Sequence, residues 1–146
     1  MLGFAPGKGD RMPNARLEVL SEEDCRALLR QGAIGRVAVS VGAIPEIFPV
    51  NFCLIDDSIF FRTARGTKLF AAALGAVVAF QVDNFDVGAR QGWSVLVVGP
   101  TDEVTQPDEI ARAKSQLDEG WVPGGPDRVL RVTPYRVSGR RTAVNP

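Results

Sequence analysis

The chain has 146 residues, which suits one domain whose core hides roughly two-thirds of the unfolded surface. Apolar residues make up 45% and charged residues 23%, with 17 Lys and Arg against 17 Asp and Glu, so no global charge draws the protein to nucleic acid or an anionic membrane. There is no histidine, which excludes Ser-His-Asp and Cys-His nucleophile systems, His-ligated haem or zinc, and an imidazole general base.

Residues 1–16 alternate Gly, Pro and charge without period and are expected to form a flexible leader, followed by a single domain over 17–146. The leader holds no apolar stretch long enough for a signal sequence. Cys25 and Cys53 lack CxxC spacing and read as free or buried thiols of a reducing compartment, which points to the cytoplasm. Ser21 followed by Glu22, Glu23 and Asp24, then Ala27, Leu28 and Leu29, predicts a capped short helix that Gly32 stops. From Ile34 the period changes to two, with Val37, Val39 and Val41 on one face of a strand. Gly42 turns the chain into a second strand carrying Pro45 and Pro49. Neither proline can donate to a ladder, so this strand is expected at an edge or sharply bent.

Asp56-Asp57-Ser58 predicts a turn into a third strand over 59–63. Gly66 breaks that strand, Thr67 caps a helix through Lys68, Leu69, Phe70 and Leu74, and Gly75 ends it. Strands are expected over 76–83 and 93–104, separated by a polar loop at 84–92. A third short helix starts at Pro107, and a Gly/Pro-rich loop over 121–127 leads to a last strand at 128–137. The apolar runs at 76–80 and 93–98 are far shorter than the ~20 residues that span a bilayer. Six strands joined mostly as hairpins predict a mainly β, mostly antiparallel barrel with short helices.

Three segments carry groups suited to a ligand. In the first, a strand delivers Arg62, Gly66 turns the chain, and Thr67 and Lys68 open a helix, a combination that attracts an anion such as phosphate; a surface cap with solvated cations has the same local pattern. Neither a GxxxxGK[ST] nor a GxGxxG spacing occurs. In the second, Pro45 and Pro49 leave backbone groups of an irregular strand unused beside Asn51, whose amide both donates and accepts. In the third, Trp93 shares a strand face with Val95 and Val97, which assigns it locally to the core or to a subunit interface.

In order and spacing these segments resemble the flavin-binding split-barrel proteins of the pyridoxamine 5'-phosphate oxidase-like family. The resemblance runs from Leu20 to about Arg141. It rests on Phe61-Arg62-Thr63-Ala64 with Gly66-Thr67-Lys68-Leu69, on Pro49-Val50-Asn51, on Gly92-Trp93-Ser94-Val95 with Gly99, and on the ending Arg131-Val132-Thr133-Pro134-Tyr135-Arg136-Val137-Ser138-Gly139-Arg140. It implies a six-stranded antiparallel Greek-key split barrel that homodimerises and holds flavin mononucleotide (FMN) between its subunits. On this resemblance Arg62, Thr67 and Lys68 hold the phosphate; backbone around Val50, Asn51 and Thr63, with Ala64 beside it, meets the isoalloxazine ring; and Trp93 and Ser94 line the ribityl and ring region.

An FMN-dependent oxidoreductase acting on a small molecule is the activity so implied, with no side chain singled out as acid or base. The deazaflavin F420 is the alternative cofactor, for which Arg65 and Arg90 are the candidate extra cations, and a flavin-binding sensor without turnover is the alternative role. The missing histidine and the tail over 141–146 depart from the family's name-giving enzyme and argue against vitamin B6 oxidation.

Overall fold

The computed structural model describes residues 15–64, 66–117 and 127–144. Eight strands and three helices follow one another as β1 (Ala15–Val19), α1 (Glu22–Gln31), β2 (Ile34–Val41), β3 (Ile44–Ile55), β4 (Ser58–Ala64), α2 (Lys68–Ala73), β5 (Val77–Asp86), β6 (Gln91–Glu103), α3 (Pro107–Gln116), β7 (Asp127–Val132) and β8 (Arg136–Val144). The first two hairpins are tight because the chain enters the left-handed region twice in succession, at Gly42 and Ala43 and again at Asp56 and Asp57. Each helix reads as its sequence suggests. The Ser21 hydroxyl accepts from Asp24 N–H at 3.1 Å, that of Thr67 accepts from Phe70 N–H at 3.1 Å, and Pro107 opens α3.

The strands are antiparallel and ordered β1-β8-β6-β5-β2-β3-β4-β7, and β7 returns to pair with β6. Six of them, β6-β5-β2-β3-β4-β7, thus close a ring, while β8 and β1 form a wing on β6. The ring is the expected six-stranded barrel; the wing corrects the strand count to eight. The strand expected at 128–137 is two strands. Its chain leaves β7 at Val132, crosses β6 through Thr133 N–H to Pro100 O and Tyr135 N–H to Val98 O, and continues as β8. The crossing passes so close to Gly99 that a Cβ there would lie 1.9 Å from Thr133 O, so no other residue fits. The loop expected over 84–92 is also shorter, because β5 and β6 stay paired from Asn84↔Trp93 to Asp86↔Gln91. β1 starts two residues inside the stretch expected as leader; residues 1–14, Arg65 and most of the 121–127 loop lie outside the described residues.

Alternation along the strands sends one set of side chains into the ring. Val37, Val39, Phe52, Ile59, Phe61, Phe80, Val95, Val97, Leu130 and Val132 are buried there, joined by Cys25 and Leu29 of α1 and Leu69 and Ala73 of α2. Phe52 and Phe80 meet edge to face at 4.8 Å. A second cluster lies outside the ring, where Cys53, Ile55, Phe60 and Val129 are covered by Ala113 and Leu117 at α3. Each large side chain so buried contributes about 1.5–3 kcal/mol.

β3 pairs with β2 along residues 44–51, but with β4 only from Phe52↔Phe61 to Ile55↔Ser58. Pro45 and Pro49 therefore occupy a half-strand with a single ladder among the described residues, as the missing donors require.

Candidate functional site

β3 and β4 diverge beyond Phe52 and Phe61, and the residues singled out from sequence stand on the two lips of that split. Val50 and Asn51 lie on the β3 lip; Arg62, Thr63 and Ala64 lie on the β4 lip. Val50 and Thr63 point inward and are 7% and 8% exposed, so what they offer a ligand is chiefly backbone. Asn51 and Arg62 alternate to the outer face and are half-buried.

Ser94 of β6 takes the same outer face and stands opposite Asp83 of β5. Asp83 accepts from Gln81 Nε2 at 2.8 Å and pairs with Arg36 at 3.6 Å. Asn51 is opposite Ile34 of β2, and Ser94 lies two strands further round the ring, on β6. Trp93 is on the other face of β6, half-buried and packed against the interior cluster. The fold thus brings Asn51 and Arg62 together at the β3–β4 split, sets Ser94 apart from them on β6, and gives Trp93 the core position that its spacing with Val95 and Val97 predicts.

Gly66, at φ +87°, turns the chain from β4 into α2. The Thr67 hydroxyl closes this turn: it donates to Ala64 O at 2.8 Å, accepts from Phe70 N–H, and lies 3.1 Å from Thr63 Oγ1. Its one hydrogen is spent on Ala64, so Thr63 is the donor in the contact between the two threonines. Lys68 extends into solvent, its side chain 72% exposed, and its nearest opposite charge is Glu46 Oε1 at 4.0 Å. The other oxygen of Glu46, Oε2, is buried and has no hydrogen-bond partner among the described residues.

Sequence reasoning did not select Glu46. The signal was its inward parity, since 46, 48 and 50 share a face of β3, and a carboxylate at an inward position needs a partner. Arg90, in the left-handed region at φ +54°, belongs to the turn between β5 and β6.

Two concavities of the described residues contain no residue selected from sequence. One of about 340 Å³ lies between the end of α1, β3 and Gln116, and one of about 110 Å³ lies beneath α3 around Asp56, Arg112 and Arg131. The candidate site is instead an open sheet surface. Beside it, Ile47, Ala38, Ala79 and Val98 form one apolar row across β3, β2, β5 and β6, with Ile47 and Val77 each 67% exposed. None of the described helices is long and apolar enough to cross a membrane. Burial raises both thiols, that of Cys53 to about 11.

The family model for pyridoxamine 5'-phosphate oxidase matches residues 21–141, almost the span over which the motifs run. The chain belongs to the pyridoxamine 5'-phosphate oxidase family. Among solved structures, this family member is similar to the FAD binding protein from Mycobacterium smegmatis, at 38% identity and a TM-score of 0.72, covering 84% of this chain and 96% of that one. It shares its fold with an FAD-binding protein from Mesorhizobium loti, at 24% identity and a TM-score of 0.75, covering 89% and 99%. It is also 34% identical over 145 residues to the uncharacterized protein Rv0080 of Mycobacterium tuberculosis, covering 94% of this chain and 95% of the other. The split-barrel architecture expected from the motifs is the architecture of these pyridoxamine 5'-phosphate oxidase-like neighbours.

Proposed function

We propose that this protein binds a flavin through the isoalloxazine, ribityl and phosphate unit that FMN and FAD share, and that it works as a flavin-dependent oxidoreductase on a small molecule. The observation that carries the reading is the placement of Asn51 and Arg62 on the facing lips of the split between β3 and β4, with Thr67 and Lys68 opening α2 just beyond it, in a chain of this family. Support for a flavin also comes from the relatives named for FAD binding.

Each residue then has a task set by its chemistry. Unused backbone of the β3 half-strand around Val50 and Asn51, and backbone at Thr63 and Ala64, meets the polar edge of the ring. Arg62 and Lys68 supply positive charge to the phosphate. Thr67 holds the turn that presents them, and it reaches the phosphate only by releasing Ala64 O. Ser94 adds a hydroxyl at the ring end, and Trp93 stiffens the strand beneath it. Reversible uptake of two electrons is the chemistry the flavin supplies when bound. Imidazole takes no part in proton transfer, since the chain has no histidine, and water is the proton source in this reading.

An open sheet face encloses a ligand only when a second surface covers it. The reading therefore includes a homodimer, in which the apolar row of Ile47, Ala38, Ala79 and Val98 meets its counterpart and the flavin lies at the seam. Titration with FAD and with FMN, followed by quenching of flavin fluorescence, tests the reading: saturable binding near one flavin per chain is expected. Absence of binding for both flavins would overturn it.

A further inference from the structure

Resting on the flavin reading, we propose that Glu46 sets cofactor choice, favouring a phosphodiester flavin, FAD, over the phosphomonoester FMN. Two observations carry this. The Glu46 carboxylate stands 4.0 Å from the Lys68 ammonium, the cation assigned to the phosphate, so part of that positive charge is already balanced within the chain. Its second oxygen is buried without a hydrogen-bond donor among the described residues, a state that costs free energy until a donor arrives.

A phosphomonoester carries about 1.5 to 2 negative charges at pH 7, whereas each phosphate of a pyrophosphate diester carries about one. A fixed carboxylate beside the binding lysine repels the first more than the second. It also accepts from a hydroxyl, as carboxylates do from the ribose of bound dinucleotides. A terminal phosphate has only acceptors to offer; a sugar hydroxyl of the ligand offers the donor that Oε2 lacks. That hydroxyl is on the ribityl chain of any flavin or on the adenosine ribose of FAD alone, and the ligands of the test separate the two.

The experiment measures dissociation constants of the full-length protein for FAD, FMN and riboflavin, in the parent, in Glu46→Gln and in Glu46→Ala. The parent is expected to bind FAD about five- to ten-fold more tightly than FMN, the discrimination expected of up to about one extra charge largely screened by water. Glu46→Gln keeps the shape and removes the charge, so FMN binding should tighten several-fold and the preference should fall towards one. Glu46→Ala should narrow the preference in the same way, which covers the case in which the glutamine variant fails to fold. Loss of riboflavin affinity in both variants assigns the accepted hydroxyl to the ribityl chain; unchanged riboflavin with weakened FAD assigns it to the adenosine ribose. A parent that binds FMN as tightly as FAD, or variants that shift both nucleotides equally, would overturn the proposal while leaving the flavin reading intact. A parent that binds none of the three overturns the flavin reading itself.

Discussion

The smallest scale at which the account can fail is a single hydroxyl or ammonium. Thr67 illustrates how far residue type alone carries: its place before Lys68 marks it as a cap, and the fold spends its one hydrogen on Ala64 O. Lys68 is the exposed cation of the proposed phosphate site, and Lys68→Ala should weaken flavin binding about ten-fold, measured as a dissociation constant. An unchanged constant would move the phosphate elsewhere. Cys53 provides a test without ligand. Burial pushes its thiol from 9.0 to about 11, so between those pH values the unfolded chain loses a proton that the folded chain keeps. Stability should fall as pH rises through that window, and less steeply in Cys53→Ala, when unfolding by denaturant is followed at several pH values. That Arg62, Thr63 and Asn51 stand on strands flanking a turn was legible because their motifs are contiguous. Glu46 was not, because its meaning depends on α2 folding back to place Lys68 beside an inward position of a distant strand.

Among elements, the instructive case is the last strand. Residues 128–137 read as one strand because apolar positions continue through Val132 to Val137, yet Pro134 lacks the donor a ladder needs and the chain crosses β6 there. Gly99 belongs to the Gly92–Gly99 motif, and the crossing explains why it must be glycine. β1 does alternate, as Ala15-Arg16-Leu17-Glu18-Val19, but over only five residues, and with Leu17 and Val19 68% and 73% exposed it is held by pairing with β8, which no local pattern shows. By contrast α3 is held by contacts no motif announces. Arg131 donates to Asp102 at 2.6 and 3.2 Å and to Glu109 at 2.9 Å, and its guanidinium lies 5.9 Å from the centroid of Phe60. Its side chain is 29% exposed, so the network is only partly screened. Arg131→Ala should cost about 1–2 kcal/mol and lower the melting temperature by roughly 2–6 °C in a thermal scan, through the hold of α3 on the second cluster.

For the whole molecule, regular spacing of six strands made the ring legible, while the wing of β8 and β1 and the exact closure of β7 on β6 depended on long-range pairing that no local pattern encodes. The count of zero histidines excluded several chemistries at the outset, and it suits a protein whose reactivity belongs to a flavin. The apolar outer face is the feature that only three dimensions reveal, because Ala38, Ile47, Ala79 and Val98 come from four separate strands. Ile47→Glu places a charge in that row without touching the core, since Ile47 is 67% exposed. The variant should run as a monomer in light scattering where the parent runs as a dimer, and it should bind flavin more weakly; a variant still dimeric would place the interface elsewhere. The central claim, that this member of the family is a flavoprotein, is tested most directly by the absorbance spectrum of the protein as purified, with mass analysis of whatever it releases on denaturation. A flavin spectrum and release of FAD or FMN at close to one per chain is the result expected; a colourless protein that releases no flavin and takes up none when either is added would contradict it.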